Sequence, residues 1–190
     1  MTYRIFSFII ALTALSCAAP KSEQTKATLS VIDNAELIDT IQGDIDGNGT
    51  ADNVSLYHNI ERDSSRVISE DYLLIINRAD STIFRSTDRL SNLTLESDLN
   101  GDGCNEVGIF SSKQGSTWGV YRVMSYKDSW QELASTTLSL KIIEQLDPTF
   151  TLDRLINVDQ TANGHIIIKR PVVHDGQRVE NIEERVKIVQ

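Results

Sequence analysis

Two acidic loops in the same phase constrain this chain more than any other feature. The first reads Asp44-Ile45-Asp46-Gly47-Asn48-Gly49-Thr50-Ala51-Asp52 and the second Asp98-Leu99-Asn100-Gly101-Asp102-Gly103-Cys104-Asn105-Glu106. Each puts oxygen side chains at positions 1, 3, 5 and 9 and glycine at 4 and 6. A hard cation needs several oxygens brought to one point by a tight turn, and this spacing brings them there. In the first loop Asp44, Asp46 and Asp52 bring carboxylates, Asn48 an amide oxygen, and Thr50 its backbone carbonyl. In the second, Asp98, Asp102 and Glu106 bring carboxylates and Asn100 the amide. Cys104 offers only its main-chain oxygen, because soft sulfur suits a hard cation poorly. Gly49 and Gly103, at the sharpest bend, can take positive φ without a Cβ clash.

An all-oxygen donor set, with no histidine or cysteine at zinc spacing, excludes a structural zinc site. Calcium is favoured over magnesium because it accepts more ligands in less regular geometry, so two calcium sites are expected. Without a cation the three carboxylates of each loop repel one another. An EF-hand would need a bidentate Glu at position 12 and helical flanks. Position 12 is Ser55 in one loop and Ile109 in the other. The following residues alternate as strands do, which also counts against a dockerin.

That alternation predicts a mainly β fold of blade-like antiparallel sheets. Val54, Leu56 and Ile60 mark one half-buried strand, followed by a polar stretch from Glu61 to Glu70. Tyr72 to Ile76 is a continuous apolar run suited to a central strand. Asn77 to Asp80 reads as a hairpin turn into Thr82-Ile83-Phe84. After the second loop, Val107 to Phe110 is a strand. Turns at Gln114-Gly115 and Lys127-Asp128-Ser129 frame Thr117–Tyr126 and lead into Trp130–Leu133. From Asp44 to Asp98 is 54 positions, a period typical of a repeated unit of several strands.

Asp159-Gln160-Thr161-Ala162-Asn163-Gly164 resembles an eroded third loop, but position 9 is Ile167. It reads better as an Asn-Gly hairpin between Leu155–Val158 and His165–Ile168. A further hairpin is expected around Asp175-Gly176. Helix is expected over Ala35–Ile38, with Asp33 or Asn34 as cap, and over Val179–Arg185.

The loops and the strands behind them resemble the FG-GAP or VCBS repeats of integrin-like propellers, in which such loops join blade strands and bind calcium. The resemblance covers roughly residues 40–135. It implies two calcium-loop repeats, about 40–96 and 97–150, and a degenerate C-terminal unit within a β domain over 29–190. Two clear units imply a small or partial propeller-like architecture, because ring closure takes at least about four blades.

The N-terminus carries Arg4 and then an apolar stretch, Ile5 to Leu15, too short to span a bilayer. Ala14-Leu15-Ser16-Cys17 resembles a bacterial lipobox. That resemblance implies a signal peptide over 1–16, lipidation of Cys17 and a tether over 17–28. The competing reading is an ordinary secretory signal with an incidental cysteine. By the same analogy, Ala18 is not an acidic retention signal and points to the outer membrane. Removing 1–16 leaves the rest one charge more negative than the whole chain's −9. An acidic surface argues against nucleic acid and against electrostatic attraction to anionic lipid. Membrane attachment would then come from the lipid anchor. Cys104 is the only other cysteine, so no disulfide framework exists.

No nucleophile elbow, phosphate loop or zinc-hydrolase motif is present. His58, His165 and His174 have no serine or cysteine arranged beside them. Trp118, Tyr121, Tyr126 and Trp130 form an aromatic group expected mainly to pack the core, with a carbohydrate-stacking platform as the alternative. The sequence therefore describes a lipid-anchored, calcium-binding protein of the cell envelope, a non-catalytic binding or scaffold module for an envelope protein or glycan. The alternative is an envelope enzyme or inhibitor acting on glycan or protein.

Overall fold

The structure, a computed structural model, describes residues 32, 35–77, 83–113, 115–174 and 178–188. The signal peptide, Cys17, the tether, Asp33, Asn34, most of the Asn77–Asp80 turn, Gln114 and the Asp175-Gly176 turn lie outside them.

Within the described residues the chain is mainly β and forms three antiparallel sheets, none closed. The first is an up-and-down meander of β1 (Glu36–Gly43), β2 (Asp52–Asp63), β3 (Arg66–Ile76) and β4 (Phe84–Ser86). The second repeats that order with β5 (Arg89–Leu95), β6 (Val107–Ser112), β7 (Gly119–Tyr126) and β8 (Trp130–Leu138). A seven-residue helix α1 (Leu140–Leu146) and a 3₁₀ turn (Leu152–Arg154) lead to the third. It consists of β9 (Ile156–Val158), β10 (His165–His174) and β11 (Arg178–Lys187). In all three sheets the acidic loop joins the first strand to the second. Among the described residues no helix is long and apolar enough to cross a membrane.

Strand parity builds the layers. Even-numbered Val54, Leu56, Tyr72, Leu74 and Ile76 of the first sheet meet Leu90, Val107, Ile109, Met124 and Trp130 of the second in one core. Odd-numbered Tyr57, Leu73 and Ile75 face the other way, under Ile32 and Ile83. The apolar run in β3 is thus buried on both faces, as its lack of alternation predicts. The second sheet turns Phe110, Tyr121, Val123, Ala134 and Leu138 towards Ile143 of α1 and Ile156 and Ile166 of the third sheet. The sheets therefore stack face to face, with the second between the other two.

Two helical expectations are corrected. Residues 36–43 are β1, paired from Glu36↔His58 to Gly43↔Asp52, and residues 178–187 are β11, paired with all of β10. Four or seven residues cannot sustain an isolated helix, whereas each segment here completes a ladder. The polar stretch 61–70 is mostly strand. β2 and β3 run through it as one long hairpin, turning at Ser64 with φ 56°. The Asn163-Gly164 hairpin forms, with Ile166 opposite Val158, but its connection spans 159–164 rather than two residues. The aromatic group divides by parity. Tyr126 and Trp130 meet edge to face with centroids 5.2 Å apart, Tyr121 is buried in the other core, and Trp118 is 55% exposed.

Candidate metal centre

Each acidic loop leaves its first strand, folds back on itself and enters the second strand at position 9. Asp52 is the first residue of β2, and Glu106 immediately precedes β6. The two loops share one hydrogen-bond pattern. Gly49 N donates to Asp44 Oδ2 and Gly103 N to Asp98 Oδ2, each at 2.9 Å. Asn48 N donates to Asp46 Oδ1 at 3.1 Å, and Asp102 N to Asn100 Oδ1 at 2.8 Å. Thr50 N reaches Asn48 Oδ1 at 2.8 Å, and Cys104 N reaches Asp102 Oδ1 at 2.9 Å. Ile45 N donates to Asp52 Oδ2 at 3.0 Å and Leu99 N to Glu106 Oε2 at 2.7 Å. The glycines take the same turn, with φ 73° and 80° at Gly47 and Gly49 and φ 80° and 90° at Gly101 and Gly103. These bonds hold the carboxylates of each loop around one point.

The result is two groups of three carboxylates, Asp44, Asp46 and Asp52 and then Asp98, Asp102 and Glu106. Within each group the ligand atoms lie within 4.8 Å of one another. Asn48 and Asn100 stay in the loops, each donating its Nδ2 to the neighbouring carboxylate, Asp46 Oδ2 at 2.8 Å and Asp102 Oδ2 at 3.0 Å. Thr50 also hydrogen-bonds Asn48 Oδ1 through its hydroxyl.

Two atoms test whether a cation fits. Asp44 Oδ1 and Glu106 Oε1 are buried without a hydrogen-bond partner, although Glu106 is 0% exposed. A buried carboxylate oxygen with no donor is costly unless a cation meets it. Burial, with Asp102, Asp98 and Glu96 nearby, pushes the Glu106 carboxyl up to about 8. The donor set and these unpartnered oxygens both fit a divalent cation.

The Cys104 thiol lies between the two loops. Burial, and then the Asp102 carboxylate beside it, push it up to about 11, so it stays protonated near neutrality. It packs against Gly47, where a Cβ would lie 2.8 Å from Sγ.

In the third loop a side-chain cation faces the acid. Asp159 Oδ1 accepts from Thr161 N at 2.8 Å and from Thr161 Oγ1 at 2.6 Å, and its Oδ2 pairs with Nε of Arg185 on β11. Arg185 also donates to Thr161 Oγ1 at 3.0 Å. Hydrogen bonds from Thr161, and then the guanidinium, hold this carboxyl below its usual range. A protein cation here accompanies the missing acid at position 9.

Several residues around the centre escaped motif reading. Asn105 clasps the backbone of Asp44, accepting from Asp44 N at 3.2 Å on its Oδ1 and donating its own N to Asp44 O at 2.7 Å. Asn77 donates to Asp52 Oδ1. Glu96 is buried against the Tyr121 hydroxyl, with Thr94 alongside, and burial pushes its carboxyl up to about 7. Only Asn105 lies inside the motif, and no sequence signal marks it, since the first loop has Ala51 at the same position. His58 stacks on Tyr72 at 4.6 Å and meets Glu70 Oε1 at 2.9 Å, His165 meets the Asn163 carbonyl, and His174 meets Glu180. Comparison of the chain with protein-family models, with curated proteins and with solved structures returns no match.

Proposed function

We propose that this chain is a lipid-anchored, calcium-binding module of the bacterial cell envelope, non-catalytic, in which calcium fixes the first turn of two blade-like sheets. The observation that carries the reading is the matched pair of carboxylate triads, each closed by the same backbone bonds and each keeping an unpartnered buried oxygen. Asp44, Asp46, Asn48 and Asp52 would hold one ion with the Thr50 carbonyl. Asp98, Asn100, Asp102 and Glu106 would hold the other with the Cys104 carbonyl. A calcium ion supplies two positive charges and six to eight coordination positions there. Its role is structural, because the ligands lie at strand ends and tie the loop to the sheet.

Three meanders stacked face to face support a partial propeller of the FG-GAP or VCBS kind, opened after its third unit. The lipobox supports anchorage through Cys17 and an outer-membrane location. The partner would be an envelope protein or glycan. Melting the domain with calcium and then with EDTA tests the metal reading. Calcium raises the midpoint and EDTA lowers it, and Asp98→Ala removes much of the response. An unchanged midpoint in both refutes it. Mass spectrometry of the membrane fraction tests the anchor, and an unmodified Cys17 on the mature chain refutes that.

A further inference from the structure

We infer that the two cation loops bind cooperatively, an ion in one strengthening the hold of the other through the Asn105 clasp. The inference rests on the calcium reading above. Asn105 sits at position 8 of the second loop, between the Cys104 carbonyl and the Glu106 carboxylate. Three of its hydrogen-bonding groups are committed. Its N and Oδ1 bind the backbone of Asp44, and its Nδ2 donates to Glu96 O at 3.1 Å, at the end of β5. Asp44 is position 1 of the first loop, and its Oδ1 is one of the unpartnered buried oxygens.

A displacement of Glu106 or Cys104 towards an ion therefore carries Asn105, and Asn105 carries the main chain of Asp44. Two further contacts stiffen the link. Gly47 lies against Cys104 Sγ, and at Gly43 a Cβ would collide with Leu95 and sit 3.3 Å from Asn105 Oδ1. The loops also line a common cleft of about 340 Å³ with Tyr126 and Asp128. Ordering one loop on its ion thus orders part of the other beforehand, which is positive coupling between sites.

Charge works in the opposite direction. Filling one triad cancels two negative charges and lowers the attraction at the other. That repulsive contribution falls off over about 8 Å at physiological salt, whereas a clasp of hydrogen bonds does not depend on salt in this way. The two contributions are therefore separable, and the net cooperativity grows as salt screens the repulsion.

Calorimetric titration of the folded domain with calcium tests this. The expected result is two ions per chain, with the second bound about fivefold or more tighter than an independent site, at the low end of typical coupling. Asn105→Ala keeps two ions but brings the coupling factor close to one. Should that variant not fold, Glu106→Gln and Asp52→Asn each leave one working loop. The two-ion constant of the parent then exceeds the product of the two single-loop constants. Two independent or anticooperative sites, or an Asn105→Ala variant as cooperative as the parent, overturn the inference and leave calcium binding standing. No bound calcium overturns the metal reading itself and the inference with it.

Discussion

Replacing Glu106 by glutamine should change the ion-free and calcium-loaded proteins in opposite directions. The carboxyl is fully buried, accepts one bond from Leu99 N, and faces Asp98 and Asp102 with its other oxygen unpartnered. Without an ion its pKa is pushed from 4.5 up to about 8, so folding at neutral pH takes up a proton there. The sign follows directly. A carboxyl raised on folding binds more protons folded than unfolded, so ion-free stability is greatest below about 4.5 and declines until about 8. At pH 7 the decline has run about 2.5 pH units at about 1.4 kcal/mol each, a ceiling of about 3.5 kcal/mol. Glutamine resembles the protonated acid and escapes that cost, and its amide can donate to the two aspartates. Glu106→Gln should therefore raise the melting point in EDTA by several degrees. It should also abolish most of the calcium-induced rise, because the ligand charge is gone. Differential scanning calorimetry at pH 7, with EDTA and with calcium, reads both effects. A variant less stable than the parent in EDTA, or one with a full calcium response, would refute the reasoning.

Three further outcomes follow from the same geometry. Calcium binding at the second loop must displace the Glu106 proton below about pH 8, so its affinity should fall about tenfold per pH unit from 8 towards 4.5; a flat pH profile contradicts this. Gly108→Ala places a Cβ into the hydrogen-bonded Tyr121 hydroxyl and Thr94 and should cost about 1–3 kcal/mol in urea denaturation; a cost under about 0.5 kcal/mol contradicts the packing. The Cys104 thiol, pushed up to about 11, should resist iodoacetamide at pH 7.5 far longer than a free cysteine, and rapid labelling of the folded protein contradicts that.

The loops were legible because their chemistry is local. Four oxygens and two glycines within nine residues determine both the turn and what it can hold, and the hydrogen bonds of 44–52 and 98–106 match almost position by position. The central strand at 72–76 was legible for a similar reason, since no surface strand would be apolar at five successive positions. β1 was not legible, because its exposed, mixed residues become a strand only by pairing with β2. For β11 the hairpin with β10 was expected, and only its Val179–Arg185 stretch was read as helix. The division of the aromatics was available in principle. Tyr121 and Tyr126 are five positions apart on one strand and must point to opposite faces. Asn105 and Arg185 depend on contacts across 61 and 26 positions, with Asp44 and Asp159, and nothing in their neighbourhoods announces them.

Diffraction can locate a cation in each carboxylate triad. Crystals of residues 29–190 grown with calcium, measured for anomalous scattering, test it most directly. Two strong peaks per chain are expected, each about 2.3–2.6 Å from its ligand oxygens, one among Asp44, Asp46 and Asp52 and one among Asp98, Asp102 and Glu106, with none beside Asp159. Empty triads, or a peak at Asp159 in place of Arg185, would contradict it.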